Sequence, residues 1–351
     1  MTRMLLAGTL GALIVIVLGP LFIRWARRRE FGQEFREDGP QTHAVTKKGT
    51  PTMGGLLILF GFSVPYWLVG REHTDFGLVV WITTMLCAMM GFWDDAMKVV
   101  NRRSLGINGK TKLLLMGLIT VFLGWASTEL LNVTTVLEVP FTSNSAGANA
   151  ITVDLGWGWY VLLFFVLAGT SNCVNLADGL DGLAATTVTI ALMSFTAIAF
   201  ILWDRGLTGI FPLSIDQDGA LDIAILCSAL GGSLIGFLWW NAYPAKVFMG
   251  DTGSLALGGA LAALAVVLKV ELLLVVIGGI FVVEGLSVML QTTVFKLSRR
   301  FTGEPRRLFL MAPIHHHFEL KDWSETQIMV RFAIVASLFS ATGFTIWFRT
   351  H

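Results

Sequence analysis

Charge is what this chain has least of. Of its 351 residues, 14% are Asp, Glu, Lys or Arg, against roughly 25% in ordinary globular domains. Hydrophobic residues make up 54%, which excludes a soluble domain of this length. The formal net charge is only +1 at pH 7, so no nucleic-acid partner is implied. Cysteine is equally scarce. Cys87, Cys173 and Cys227 lie within or at the ends of apolar runs, as small buried residues do, and form no disulfide framework or metal motif. No linker, low-complexity tract or clear repeat interrupts the chain, and we read residues 1–351 as one integral membrane domain.

What is abundant is long apolar runs. Stretches of about 18 or more nearly uncharged residues read as membrane helices. Ten occur, near 4–23, 53–70, 76–93, 113–131, 157–175, 183–203, 221–240, 254–268, 272–295 and 328–348. Only "KVE", Lys269 to Glu271, separates the eighth from the ninth, as the tip of a hairpin would. The first run has no small-residue cleavage pattern before "FIRWARRRE", so it reads as a span and not a cleaved signal peptide. The expected fold is therefore an all-α integral membrane protein with about ten transmembrane helices.

The few charges are unevenly placed. Connections between ten helices alternate sides, and one set holds 19 of the 25 lysines and arginines. The other side, termini included, holds Arg3, Arg71, Arg205, Lys269 and Arg349. The basic set is the expected cytoplasmic one, which puts both termini outside. Five polar clusters fall on that same cytoplasmic side: "THAVTKKGTPTMGG", "WDDAMK", "NCVNLADGLDG", "WNAYPAKVFMGDTGS" and "APIHHHFE". One site assembled from loops and helix ends, on the cytoplasmic face, accounts for all five.

Each cluster has a plain structural reading beside a chemical one. An aspartate mid-membrane costs about 2.5–3.5 kcal/mol on insertion scales, and less near the interface. Asp94 and Asp95 can therefore be a solvated helix end. Yet Asp94 and Lys98, at i,i+4, share a face that Asp95 does not, which suits a division of roles. Asp178 and Asp181 sit either on one helix face or in a turn, where Asp181 could cap the next helix. Asn172 and Asn175 precede them. Asp251, among glycines before a helix, is either an N-cap or an oxygen ligand for Mg²⁺, with Gly250 and Gly253 letting backbone approach a phosphate.

Lys47, Lys98, Lys110 and Lys112 offer cations to anionic substrates. His315, His316 and His317 lack the spacing of a zinc motif and suit contacts to phosphate or sugar. Glu284, mid-span, should face the protein interior. Carboxylates, lysines and histidines at a membrane edge suggest phosphoryl transfer between anionic substrates.

At these residues the sequence resembles the polyprenyl-phosphate N-acetylhexosamine-1-phosphate transferase superfamily. "KKGTPTMGG", "GFWDDAMK", "NCVNLADGLDGLA", "NAYPAKVFMGDTGSLALGG" and "MAPIHHHFEL" occur in family order, essentially end to end. The histidine stretch points to its muramoyl-pentapeptide branch. The resemblance implies a homodimer of ten-helix chains in the bacterial cytoplasmic (inner) membrane. The implied reaction joins UDP-MurNAc-pentapeptide to undecaprenyl phosphate with Mg²⁺, giving lipid I and UMP, the first membrane step of peptidoglycan synthesis.

Carried over by motif, Asp94 and Asp95 match the paired catalytic aspartates, and Asp251 the metal-binding one. Asp178 and Asp181 match the nucleotide-side motif, with Asp181 nearest the uridine. Asn241 and Phe248 would bind the nucleoside, Phe248 by stacking on uracil. Lys47, Lys98, Lys110, Asn172, His315, His316 and His317 would line the diphosphate and sugar. Thr52, Asn175, Gly250, Ser254 and Gln291 join the implied substrate site. Two rivals are the GlcNAc-1-phosphate branch, separable by which UDP-sugar releases UMP, and a transporter, whose carboxylates usually lie near the midplane between repeats.

Overall fold

The computed structural model describes residues 1–29, 49–70, 73–101, 106–139, 151–207 and 214–350. Among these the regular secondary structure is helical, except for one small hairpin. The helices are α1 (Thr2–Arg28), α2 (Gly55–Val69), α3 (Asp75–Asn101), α4 (Gly109–Trp125), α5 (Gly158–Ala177), α6 (Leu183–Arg205), α7 (Gln217–Asn241), α8 (Gly250–Val267), α9 (Leu274–Ile277), α10 (Gly279–Thr302), α11 (Ile314–Glu319) and α12 (Glu325–Thr350). Among the described residues nine helical segments are long and apolar enough to cross a membrane, α4 counted with the π-helical turn Ala126–Leu130 that continues it. α2, at 15 residues, falls short of that length. Together they account for the ten expected spans of an all-α integral membrane protein. The hairpin pairs β1 (Val136–Glu138) antiparallel with β2 (Thr152–Asp154), with Leu137 opposite Val153.

Two helix bounds differ from the hydropathy reading in ways that matter for chemistry. α3 runs two turns past residue 93, to Asn101, because "WDDAMKVVN" contains no helix breaker. Asp94 and Asp95 therefore sit within a helix and not at its frayed end. α8 begins at Gly250, which places Asp251 in its first turn.

α8 forms the middle of the bundle. All of its residues from Thr252 to Val267 are buried, and it packs against α3 and α5. Its small side chains permit this. A Cβ on Gly258 would collide with the backbone of Ser171 on α5, and one on Gly259 would meet Cys87 Sγ on α3 at 2.5 Å. In lipid, close approach of small residues is what brings helices together. Cys87 and Cys227 are buried, Cys173 is partly so, and all three are free.

The "KVE" tip is not a solvated hairpin end. Lys269 and Glu271 have side chains only 2% and 3% exposed and pair at 3.2 Å. Lys269 also donates to the Thr134 carbonyl at 3.0 Å and lies 4.2 Å from the centre of the Trp159 ring.

Candidate active site

The cytoplasm-assigned ends of α3, α5, α7 and α8, with the connection between α10 and α12, meet at one end of the bundle. There Asp94, Asp95 and Asp251 bring carboxylate oxygens within 4.8 Å of one another. So much negative charge at a membrane edge requires compensation. The Lys98 ammonium supplies it, 2.7 Å from Asp94 Oδ2, 3.1 Å from Asp251 Oδ2 and 3.9 Å from Asp95 Oδ1. Lys112 Nζ adds a second contact to Asp251 Oδ2 at 3.6 Å.

The three carboxylates are not equivalent. Asp95 accepts hydrogen bonds from the Asp251 and Thr252 amides, at 3.1 and 2.9 Å, and from Thr252 Oγ1 at 2.7 Å. It thus satisfies the free N–H groups at the head of α8, the work of an N-cap, from a different helix. Neither Asp251 nor Asp181 acts as the cap that the sequence left open, since α8 and α6 have no side-chain cap bond of their own. Asp94 accepts the Ile107 amide at 2.8 Å through Oδ1 and faces Lys98 through Oδ2. Asp251 Oδ1 accepts from Asn175 Nδ2 at 2.9 Å, and the same amide donates to Ser254 Oγ at 2.8 Å.

Backbone geometry around this cluster is tight. Gly250 has φ +75°, and a Cβ there would meet Asp95 Oδ2 at 2.7 Å and Thr52 Oγ1 at 2.9 Å. Both the left-handed conformation and the space call for glycine. Residues 51–54 run beside 248–249, joined by Phe248 N to Pro51 O and Gly54 N to Phe248 O, each 2.8 Å. Thr52 is buried here and Phe248 partly so.

This donor set suits a divalent cation. Hard oxygen ligands surround a point already filled by positive charge, the Lys98 ammonium, and Asp251 and Asp94 carry the oxygens closest to it. Mg²⁺ is held in this way, by one or two carboxylates with substrate phosphates completing its shell. Asp95 is committed to the α8 backbone.

Beside the cluster, α5 ends at Ala177 and residues 178–182 form a turn before α6, with Gly182 at φ +76°. Asp178 receives the Gly250 amide and lies near Asp251, Asp95 and Asp181; burial first, then those carboxylates, push its pKa well above the usual range. Asp181 accepts the Ala245 amide at 2.9 Å. Asn241 is buried and fully engaged, accepting from Gly182 N at 3.1 Å and donating to Val247 O at 2.9 Å. Asn172 and Lys110 are exposed.

The histidines diverge. His315 is fully buried, its Nδ1 3.0 Å from Glu284 Oε1. His316 Nδ1 lies 2.9 Å from Glu319 Oε2. His317 Nδ1 accepts the Leu310 amide at 3.1 Å. Gln291 clamps the preceding loop by accepting from Leu308 N and Phe309 N and donating to Phe309 O, at 2.9–3.0 Å. Lys47 lies outside the described residues.

Two residues at this end lie outside the site that the resemblance implies: Lys112, read from sequence only as one of four candidate cations, and Glu284, read only as facing the interior. Lys112, two positions after Lys110, is the lysine of α4 that reaches Asp251. The Asn108 side chain accepts the Lys110 amide at 3.1 Å and fixes the start of α4, and neighbours two apart on a helix face different ways. Glu284 has its partner in His315, 31 residues on, a pairing that no local pattern announces.

A bundle of apolar helices with acidic and basic groups converging at one end suits a membrane-embedded transferase of anionic substrates. The glycosyl transferase family 4 model matches residues 77–269, and signature 1 of phospho-N-acetylmuramoyl-pentapeptide-transferase matches residues 47–59. The chain is 44% identical over 348 residues to the phospho-N-acetylmuramoyl-pentapeptide-transferase of Rubrobacter xylanophilus, covering 99% of this chain and 98% of that one. It is 45% identical over 346 residues to that of Geobacillus kaustophilus (97% of each) and 43% over 330 residues to that of Desulfotalea psychrophila (94% and 88%). The chain belongs to the phospho-N-acetylmuramoyl-pentapeptide-transferase family.

Proposed function

We propose that this protein transfers phospho-MurNAc-pentapeptide from UDP-MurNAc-pentapeptide to undecaprenyl phosphate, producing lipid I and UMP, as a single-domain homodimer in the bacterial inner membrane. The observation that carries this reading is the Asp94–Asp95–Asp251 cluster bridged by Lys98 at the end of the bundle. A lipid-anchored phosphate and a water-soluble nucleotide can meet only at such an edge.

Phosphoryl transfer between two anions is chiefly a matter of positioning and charge neutralisation. Mg²⁺ held by Asp251 would supply a Lewis acid for the diphosphate. Lys98 and Lys112, which both approach Asp251 Oδ2, neutralise phosphate oxygens beside it. Asp94 takes any remaining proton from the lipid phosphate, whose oxygen then bonds to the β-phosphorus. The bond from that phosphorus to the bridging oxygen breaks, and UMP leaves with it. Asp95 holds the head of α8, so that Asp251 and the following amides keep their places. The turn bearing Asp178 and Asp181, with Phe248 and the brace made by Asn241, receives the nucleoside. Lys47, Thr52, Lys110, Asn172, Asn175, Gly250, Gln291, His316 and His317 surround the diphosphate and sugar, and Ser254, buried, holds Asn175 from below. His315 lies beneath that surface.

The test is UMP release from UDP-MurNAc-pentapeptide with each component omitted in turn. Release should require both undecaprenyl phosphate and Mg²⁺, and UDP-GlcNAc should not substitute. A stoichiometric burst of UMP without lipid acceptor, leaving phospho-sugar on Asp94, would replace the one-step route with a covalent intermediate.

A further inference from the structure

The Glu284–His315 pair plays no part in the reaction as derived above, although it is the most deeply enclosed polar pair at this end of the bundle. Both side chains are 0% exposed. Glu284 belongs to α10 and lies near Cys173 of α5, so it sits under the stretch of α5 that carries Asn172 and Asn175. His315 lies in the first turn of the short helix α11, which the Ile314 and Phe318 side chains pack against the core. Its Nδ1 meets Glu284 Oε1 at 3.0 Å. Its Nε2 is buried with no hydrogen-bond partner among the described residues and faces Gly179, where any Cβ would collide with the imidazole.

A carboxylate beside one imidazole nitrogen settles where the ring proton resides. With Glu284 accepting, Nδ1 carries the hydrogen and Nε2 is the nitrogen turned to the 178–182 turn. An ordinary neutral histidine more often has the opposite arrangement. The ring also supports the turn by shape, since Gly179 leaves room for it and no larger residue would. That turn carries Asp178 and Asp181 and receives the Gly250 amide at the head of α8, so the attitude of one imidazole is coupled to both halves of the site.

We propose that Glu284 is a positioning residue for the transfer reaction: by accepting the Nδ1 proton of His315 it fixes the ring under Gly179 and so sets the Asp178–Asp181 turn for the nucleotide-sugar. This rests on the reaction proposed above, and the test separates the two. The tautomer is read by ¹⁵N NMR of ring-labelled histidine in the full-length protein, with His315→Gln assigning the resonance. The expected signature is a protonated Nδ1 and an unprotonated Nε2, whatever the substrate proves to be. Glu284→Gln, whose carbonyl still accepts from Nδ1, should keep that signature and stay within about threefold of the starting kcat/KM. Glu284→Ala should lose the signature and at least about tenfold in kcat/KM, equivalent to ~1.4 kcal/mol of positioning. The loss should fall mainly on KM for the nucleotide-sugar and not on KM for the lipid.

Wild-type protein showing the proton on Nε2 overturns the proposal even if Glu284→Ala fails to fold. So does a folded Glu284→Ala with unchanged kcat/KM, or a Glu284→Gln as impaired as the alanine variant. Absence of UMP release from the wild-type protein would instead count against the reaction and leave the tautomer result standing.

Discussion

Three aspartates at one site have three different jobs, and substitution should tell them apart. Asp95 accepts three hydrogen bonds from the head of α8. An asparagine there presents an NH₂ group to one set of donors. Asp95→Asn should therefore lower stability by about 1–3 kcal/mol, the cost of buried groups left unpaired, read as a drop in thermal midpoint in detergent. Asp251 instead accepts from the Asn175 amide and lies beside two ammonium groups, so Asp251→Asn should keep the midpoint and raise the Mg²⁺ needed for turnover, with a loss of at least about tenfold per 1.4 kcal/mol of charge stabilisation removed. Near-normal activity of Asp251→Asn at unchanged Mg²⁺ would remove it from the metal site.

Asp178 permits a test by pH. Its folded pKa is raised, so the neutral form is favoured in the folded protein. The stability this contributes is complete below the ordinary aspartate range and is lost as pH climbs through the raised value. Asp178→Asn cannot ionise. Between pH 4 and pH 8 the substrate-free variant should lose less thermal stability than the wild type, and parallel midpoint curves would contradict the shift.

At the scale of elements, the spans were legible because lipid imposes length and hydropathy on each helix separately. What joins one helix to another was not. Asp95 caps α8 across 156 residues, and the need for a cap was visible near Asp251 although the residue supplying it was not. The Lys269–Glu271 pair shows the same limit. Two charged residues between two apolar runs read as an exposed tip, yet Lys269 is enclosed by Trp159 and the Thr134 carbonyl and Glu271 is buried beside it. Thr134 and Trp159, far earlier in the chain, make that enclosure. Removing one partner leaves a buried charge uncompensated. Lys269→Met should cost about 3–5 kcal/mol, while the double variant Lys269→Met, Glu271→Leu should recover much of it. Equal stability of wild type and Lys269→Met would mean that the pair is solvated after all.

For the whole molecule, the open matter is which way the bundle faces. Helix order alone puts α3, α5, α7 and α8 at one end with their polar termini, and the same end receives the "HHH" connection, so the sequence grouping of clusters is matched by the described structure. Sidedness depends on the uneven placing of charge, with 19 of 25 basic residues in connections on that end. Basic residues are retained in the cytoplasm during insertion, and a nucleotide-sugar is a cytoplasmic substrate, so chemistry and topology ask for the same orientation. Lys110 and Thr302 are exposed at the site end, and Asp218 is exposed at the other. In a functional cysteine-free background (Cys87, Cys173 and Cys227 replaced), single cysteines at Lys110 and Thr302 should react with a membrane-impermeant maleimide only in inverted vesicles. A cysteine at Asp218 should react only in intact cells. Labelling of Lys110 and Thr302 from opposite sides would divide the site between two faces, and a uniform reversal of all three would place it outside, beyond the reach of its nucleotide substrate.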